Sequence, residues 1–211
     1  RTYDALNRLV KITQPDPDGT GQQSPTTWYG YDTVGNLLSE VRTTVASASV
    51  TPQPDGRLST GDAHAEVTQY EYDALNRLVK VTLPDPDGTG PQAPATWYSY
   101  DAVGNLLSEV RTTVALATVQ YKDDGSYLST TNDTRAEVTQ YEYDALNRRT
   151  KTIEADPDGA AGAQTSPITQ YSYDGFSNVI TGMDANHQVT TRPYDALNRL
   201  VKVTLPDPDG T

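Results

Sequence analysis

The heptapeptide YDALNRL at residues 72–78 is the most frequently repeated stretch of this chain. It returns unchanged at residues 3–9 and 194–200, and as YDALNRR at residues 143–149. Looser copies occupy residues 31–37 (YDTVGNL), 100–106 (YDAVGNL) and 173–179 (YDGFSNV). Seven Tyr-Asp units in 211 residues indicate a repeat protein, in which each unit packs on its neighbours.

Each copy has the pattern of a strand, a tight turn and a second strand. β-branched and aromatic residues precede it, as in VTQYEY at 67–72, and a second extended run follows, as in LVKVTL at 78–83. The Asp can accept backbone N–H bonds, and the Asn or Gly three residues later tolerates positive φ, which predicts a type I turn closed by a left-handed residue. The predicted structural turn residues are Tyr72, Asp73, Asn76, Tyr100, Asp101, Gly104, Tyr143, Asp144 and Asn147.

A larger period overlies the Tyr-Asp repeat. Residues 66–77 recur identically as 137–148, and an additional predicted hairpin lies at 50–60 and again at 119–129. We therefore predict one continuous array over residues 1–211, read as a window of a longer protein. Its large periods cover approximately residues 3–71, 72–142, 143–193 and 194–211.

The connections between units are long and carry turn-forming residues. The Pro/Gly-rich runs 15–25, 84–94 and 156–167 recur between strands, so we predict long hairpin loops at one rim and not domain boundaries. No stretch has the three-to-four residue apolar spacing of an amphipathic helix, and the sequence predicts almost no helix.

The composition favours a thin sheet over a thick core. Only 35% of the residues are hydrophobic, and the chain has 14 Tyr but one Phe and one Met. Tyr covers apolar neighbours while its hydroxyl stays near water. The net charge of −12 argues against nucleic acid and anionic membranes as partners, and no apolar run approaches the roughly 20 residues that span a bilayer.

The tetrapeptide Asp-Pro-Asp-Gly occurs four times and has two interpretations. Carboxylates two residues apart before a Gly are a fragment of a calcium loop, because calcium prefers hard oxygen ligands. The alternative is a tight turn in which Asp accepts backbone N–H bonds, and this is the interpretation we favour, since the further acidic ligands of an EF-hand are missing. The candidate calcium ligands are Asp16, Asp18, Asp85, Asp87, Asp156, Asp158, Asp207 and Asp209.

Two equivalent aromatic pairs also have two interpretations. Trp28-Tyr29 and Trp97-Tyr98 could stack on sugar rings, or could pack on neighbouring hairpins as cross-strand pairs. Packing is favoured, because a chain with so little Phe needs its rings for its core. The sequence contains no recognisable nucleophile–base pair, zinc cluster or phosphate loop, so we expect no catalysis from it.

The motif Tyr-Asp-x-x-Gly-x-Leu, repeated through the whole chain, resembles the RHS/YD-repeat family of bacterial RHS toxins, toxin-complex shells and teneurins. This chain has Asn at the Gly position in Asn7, Asn76, Asn147 and Asn198. The resemblance implies an all-β fold of stacked β-hairpins forming a long spiralling sheet, as a shell, tube or solenoid, at an extracellular site or cell surface.

Three functions are therefore open. The first is a structural scaffold in the wall of an extracellular shell, tube or fibre on a bacterial surface, whose partners are neighbouring copies or adjacent repeats of the same protein. The second is a calcium-stiffened adhesin module that binds glycans. The third is the encapsulating shell of a secreted RHS-type toxin.

Overall fold

The computed structural model describes residues 1–16, 19, 24–44, 48–86, 92–114, 116–158 and 164–207. These residues form seventeen β-strands and no helix, which confirms the predicted all-β fold. No helix in the described residues is long and apolar enough to cross a membrane. The strands are β1 (Thr2–Tyr3), β2 (Leu9–Thr13), β3 (Thr26–Tyr31), β4 (Leu37–Thr43), β5 (Val50–Pro52), β6 (Leu58–Thr60), β7 (Glu66–Tyr72), β8 (Leu78–Thr82), β9 (Ala95–Tyr100), β10 (Leu106–Thr112), β11 (Thr118–Tyr121), β12 (Tyr127–Thr131), β13 (Glu137–Tyr143), β14 (Arg149–Ile153), β15 (Ile168–Tyr173), β16 (Val179–Met183) and β17 (Val189–Thr191).

The chain folds into two compact units. The first contains Arg1–Trp97 and Arg111–Thr118, and the second contains Tyr98–Val110 and Val119–Thr211. The boundaries fall inside β9 and β10, so these two strands contribute residues to both units.

The first unit is an antiparallel sheet with strand order β1-β2-β3-β4-β7-β8-β9. Each Tyr-Asp hairpin has a register shift next to its Tyr, for example between Gly30 and Tyr31 in the β3–β4 pair. Such an irregularity increases the local twist and re-aims the side chain that follows it. The predicted additional hairpin forms as β5–β6, a separate two-stranded sheet.

The second unit repeats this arrangement. Its sheet order is β10-β13-β14-β15-β16-β17, and β11–β12 is its additional hairpin. The register shift recurs next to Tyr143 and next to Tyr173.

The long connections join neighbouring antiparallel strands, as predicted for hairpin loops. Where β2, β8 and β14 end, a backbone N–H donates across the loop to a Pro carbonyl on the next strand's side. These bonds are Gln14 N to Pro25 O (2.9 Å), Leu83 N to Pro94 O (2.8 Å) and Glu154 N to Pro167 O (2.9 Å). The loops therefore lie at the strand ends opposite the Tyr-Asp turns.

The additional hairpin of the first unit covers one face of the sheet. Val41 and Ser39 on β4 are 0% exposed, and the Leu58 N–H donates to Ser39 Oγ at 2.9 Å. This approach requires glycine: a Cβ at Gly30 would lie 2.5 Å from the Gly56 carbonyl oxygen. Small residues at the contact allow the two layers to meet at backbone distance.

Tyrosines occupy alternate positions on β3 and β7. Tyr29 and Tyr31 on β3, and Tyr70 and Tyr72 on β7, are two residues apart and half-buried. Burial raises the pKa of Tyr31, Tyr70 and Tyr72, so these hydroxyls stay neutral and available as donors. Half-buried Tyr rings thus cover part of the sheet.

Gly56→Ala should destabilise the protein more than Gly35→Ala. Both glycines have positive φ (92° and 102°). A Cβ at Gly56 would lie 2.0 Å from the Tyr31 carbonyl oxygen, whereas a Cβ at Gly35 would have no non-neighbouring atom within 4 Å. Left-handed backbone costs about 1–2 kcal/mol for Ala at either site, and overpacking adds about 1–3 kcal/mol at Gly56. Denaturant unfolding of the two variants measures the difference. Equal losses would show that β5–β6 does not rest on Tyr31.

Candidate functional site

The Tyr-Asp turns share one backbone geometry. In the turn at residues 73–77, the Asp73 N–H donates to the Arg77 carbonyl and the Asn76 N–H donates to the Asp73 carbonyl, both at 3.0 Å. Asn76 has φ 58°, in the left-handed region. The corresponding residues of the other six turns also have positive φ: Asn7, Gly35, Gly104, Asn147, Ser177 and Asn198.

The Asp side chain organises each turn. Asp73 Oδ1 accepts the N–H of Leu75 (2.8 Å) and of Arg77 (3.0 Å), while Oδ2 accepts Arg77 Nε at 2.7 Å. One carboxylate therefore satisfies two backbone donors and one side-chain donor. The Arg is also an ion-pair partner, with about a quarter of each side chain exposed.

The residue four positions after Asp is a structural partner that the sequence analysis missed. Its side chain donates to Asp Oδ2 in all seven Tyr-Asp turns, from an Arg guanidinium or an Asn amide. The signal was present, because every copy has Arg or Asn at this position. The pairs are Arg8–Asp4, Asn36–Asp32, Arg77–Asp73, Asn105–Asp101, Arg148–Asp144, Asn178–Asp174 and Arg199–Asp195.

These contacts lower the pKa of the turn carboxyls. Burial by itself would raise the pKa of Asp73, but the hydrogen bonds from Arg77 and the Leu75 N–H outweigh it and hold the pKa below its ordinary value. A carboxylate that accepts several N–H bonds is stabilised in its charged form. The pKa is lowered in the other turns as well, at Asp4, Asp32, Asp101, Asp144, Asp174 and Asp195.

Within the first unit, successive turns are also bonded to one another. Arg8 Nη1 donates to the Asp32 carbonyl at 2.8 Å, and Asn36 Nδ2 donates to Asn76 Oδ1 at 3.0 Å. A turn that ends in Arg thus bonds to the backbone of the next turn. A turn that ends in Asn bonds to the side chain of the next turn's left-handed residue. We call this series of bonded turns the turn ladder.

The second unit has its own turn ladder with the same two kinds of contact. Asn105 Nδ2 donates to Asn147 Oδ1 (2.9 Å), and Arg148 Nη1 donates to the Asp174 carbonyl (2.9 Å). Asn178 Nδ2 then donates to Asn198 Oδ1. Asn at the left-handed position therefore supplies an acceptor that Gly, which holds this position in the turns at Gly35 and Gly104, lacks.

The Tyr of the motif bonds back to the preceding hairpin. The Tyr31 hydroxyl donates to the Leu9 carbonyl at 2.9 Å, and the Tyr143 hydroxyl donates to the Leu106 carbonyl at 3.0 Å. The guanidinium of Arg8 lies 4.9 Å from the centre of the Tyr31 ring, a cation–π contact. Tyr and Asp are thus required for different bonds, one between hairpins and one within the turn.

Another turn of this geometry begins with Asp but lacks the Tyr, and it was missed. The Asp184 N–H donates to the Gln188 carbonyl and the His187 N–H to the Asp184 carbonyl, both at 3.0 Å, and His187 has φ 62°. Asp184 was the available signal, but Met183 stands where the motif has Tyr. His187, which the sequence left without a role, is the left-handed residue of this turn.

The predicted aromatic pairs are divided between the two sheet faces. Trp28 and Tyr29 are consecutive on β3 and therefore point to opposite faces. Lys11 Nζ lies 3.9 Å from the centre of the Trp28 ring, and Lys80 Nζ lies 4.0 Å from that of Trp97. Tyr98 follows Trp97 on β9 in the same alternation. One face of each indole is occupied by a Lys, which leaves less of the ring for stacking.

A cleft of about 290 Å³ lies beside β5–β6, and Trp28, Tyr31 and Leu58 are among the residues that line it. The indole Nε1 atoms of Trp28 and Trp97 are buried without a hydrogen-bond partner. The cleft is mainly apolar and carries no arrangement of catalytic groups.

The candidate calcium ligands are only partly described. Asp18, Asp87 and Asp209 lie outside the described residues. Asp156 Oδ1 accepts the Asp158 N–H at 3.4 Å, and Asp158 Oδ2 accepts the Gln164 N–H at 3.2 Å, as expected for turn-forming Asp. Asp16, Asp85 and Asp207 are the remaining described candidates. Among the described residues, no three His, Cys, Asp or Glu side chains are grouped closely enough to hold a metal ion.

Comparison with known proteins supports the predicted repeat family. The RHS Repeat family model matches residues 54–89. The toxin protein Tse5 of Pseudomonas aeruginosa is 29% identical over 154 residues, which cover 67% of this chain and 11% of the toxin. This chain therefore spans about a tenth of the length of that relative.

Solved structures of toxin complexes are also similar over almost the whole chain. A chain of the TcdB2-TccC3-Cdc42 crystal structure is 18% identical, with a TM-score of 0.34, over 99% of this chain and 12% of that one. A chain of the Photorhabdus luminescens Tc holotoxin pore is 13% identical, with a TM-score of 0.26 and the same coverage.

Asp73→Ala should lower the free energy of unfolding by about 1–3 kcal/mol, because two backbone donors and Arg77 lose their acceptor. Asp55→Ala is the matched control: Asp55 accepts one backbone N–H, from Arg57 at 3.0 Å, and forms a 3.4 Å ion pair with the Arg57 guanidinium, but its side chain is 59% exposed. We expect a change within about 0.5 kcal/mol for the control. Denaturant unfolding compares the two variants, and equal effects would remove the special role of the Tyr-Asp carboxylate.

Stability should also fall in acid because of these carboxyls. Their folded pKa values lie below the unfolded value of 3.8, so their contribution is complete above pH 3.8 and is lost as pH falls through the folded values. The difference in unfolding free energy between wild type and Asp73→Asn should therefore be constant near neutrality and shrink below about pH 4. Unfolding curves from pH 7 to pH 2.5 measure it. A difference as large at pH 2.5 as at pH 7 would mean that the charge of Asp73 is not the source.

Proposed function

We propose that this chain, an array of RHS/YD repeats, forms part of the wall of a shell that encloses cargo in a toxin-related bacterial protein. The observation that carries the proposal is the repeated bonding of successive turns within each unit. Arg8 with Asp32, and Arg148 with Asp174, make the same contact in the two units. A contact that each repeat offers to its neighbour allows a wall to extend without a new interface.

The turn carboxylates support a structural role. Asp73 and Asp144 each bind an Arg and two backbone N–H groups of their own turn. A carboxylate held by its own turn is a poor general base, because these bonds favour its charged form and lower its proton affinity. The proposal therefore assigns no catalysis to this segment and no metal to its function.

The relation to Tse5 supports the toxin context. That relative is named a toxin, and the similarity covers a stretch that amounts to 11% of it. We propose that this segment forms part of the shell wall and has no toxic activity of its own. Its neighbours in the wall are adjacent repeats of the same protein. An extracellular or cell-surface location follows from the same context and is part of the proposal.

A fibre on the cell surface would use the same local contacts. The shell and the fibre differ only in whether the sheet closes around an interior. Electron cryomicroscopy of the longest natural protein that contains this segment separates them. We expect closed, hollow particles with density inside, and we expect that density to resist added protease until the particle is opened. Continuous filaments with these repeats along their length would contradict the shell.

A variant of the same protein controls this experiment. Asp73→Ala combined with Asp144→Ala should loosen one turn in each unit and make the enclosed density more sensitive to protease. Asp55→Ala should leave the sensitivity unchanged, since Asp55 lies on the additional hairpin and not on a turn ladder.

A further inference from the structure

The Tyr-Asp turns carry an exposed apolar residue at one fixed position, two residues after the Asp. We call this position the turn tip. In the first unit the tips are Leu6, Val34 and Leu75, and in the second they are Val103, Leu146, Phe176 and Leu197. These side chains are 65–75% exposed. Large apolar residues exposed at one repeated position indicate an interaction surface when they form a continuous row.

The geometry of the turn does not require an apolar tip. The turn at residues 53–57 has the same two backbone bonds, from Gln53 N to Arg57 O and from Gly56 N to Gln53 O, and its tip is Asp55. The equivalent tip of the β11–β12 turn is Asp124. The β16–β17 turn has Asn186 at its tip and lies at the opposite strand end from the Tyr-Asp turn of β16. Polar tips thus occur on turns outside the ladders, and apolar tips occur on the ladders.

The tips of one unit are held in a row. In the first unit, Arg8 joins the first turn to the second and Asn36 joins the second to the third, through the ladder bonds of 2.8 and 3.0 Å. Hairpins placed side by side bring a tip to every second strand, about 9–10 Å apart at the ordinary strand spacing. A partner that buries successive tips must have the same period.

The charge of the turn edge also restricts the partner. In the first unit the three turns contain three Asp and two Arg, and both Arg side chains are paired with Asp of their own turns. At the other strand ends of this unit, the sequence of the loops 15–25 and 84–94 contains four Asp and no Arg or Lys. By these residues, and in a chain with a net charge of −12, the turn edge is the less acidic of the two edges of this unit. Two copies repel each other least when these edges meet.

We infer that the turn edge of each unit is a docking surface for a turn edge of a second copy of this chain, with the tips of one copy packing between those of the other. A second copy has the required period by construction, and its tips are apolar like those they would cover. Lipid has no such period, and an anionic bilayer would repel the chain. The inference goes beyond the proposed wall, in which adjacent repeats meet through paired strands and ladder bonds.

Sedimentation velocity of the full 211-residue chain over a wide concentration range tests this docking. One variant replaces Leu6, Val34 and Leu75 by Asn, and another replaces Val103, Leu146, Phe176 and Leu197 by Asn. Asn186 shows that this turn geometry accepts Asn at its tip. The control replaces Leu128, Val201 and Leu205 by Asn, which are 53–70% exposed and lie outside the Tyr-Asp turns.

The expected result is a wild-type dimer that strengthens with added salt, because salt screens the repulsion between acidic copies. Each tip variant should raise the dimer Kd by about tenfold or more, a loss of ~1.4 kcal/mol or more, and the control should leave it unchanged. Thermal unfolding checks that all chains are folded. If one tip variant unfolds, the other still decides the outcome, since each replaces the tips of one unit alone.

Three outcomes would overturn the inference. The wild-type chain could remain monomeric at every concentration. The tip variants could associate as strongly as the control, which would assign association to the unpaired edges of terminal strands. Finally, neutral phosphatidylcholine vesicles could bind the wild type and not the tip variants while the protein stays monomeric, which would make the row a lipid-binding surface.

Discussion

The carboxylate of the Tyr-Asp motif is the interaction on which the rest of the structure depends. The Asp73 carboxylate accepts hydrogen bonds from the N–H groups of Leu75 and Arg77 and from the Arg77 side chain. One residue therefore fixes the backbone of the turn and the orientation of the Arg77 side chain. A turn without this acceptor would leave donors unsatisfied, and each would cost free energy. Because the same bonds recur in each Tyr-Asp turn, equivalent residues of successive turns have the same geometry. The contacts between turns can therefore repeat.

A low hydrophobic content explains why the fold relies on such polar contacts. The described residues contain few fully buried side chains, among them Val41, Val110, Ser39 and Ser108. Two of these four are serines, and Ser39 accepts the Leu58 N–H where the additional hairpin meets the sheet. The sheet is therefore held by hydrogen bonds, half-buried Tyr rings and close backbone contact at glycine, and less by a thick apolar core. Such a layer suits a wall, whose role depends on area and continuity.

The hairpins and their turn residues were predictable, because a β-turn is closed by atoms at most four residues apart. The exchange of Asn76 for Gly104 within one repeated motif identified the left-handed position, and both residues have positive φ. The partner of the Asp was missed because Arg77 and Asn105 differ in charge and size, and their shared ability to donate to Oδ2 becomes visible only in the structure. The Tyr-Asp motif does not reveal the turn at Asp184, because Met183 stands in place of Tyr; the Tyr hydroxyl bonds to another hairpin and is not needed to close a turn.

The sequence by itself determined the repeat, the all-β class and the strand–turn–strand unit, since each depends on residues close together in the chain. The tertiary structure decided which face β5–β6 covers, how the turns bond to each other and how the chain divides into two compact units. The physical reason is separation along the chain: Arg8 and Asp32 are 24 residues apart, and Asn105 and Asn147 are 42 apart. Contacts of that length depend on how hairpins pack, and no local pattern of residues encodes them. The same holds for the turn tips: the sequence shows which residues occupy them, but their exposure is a property of the fold.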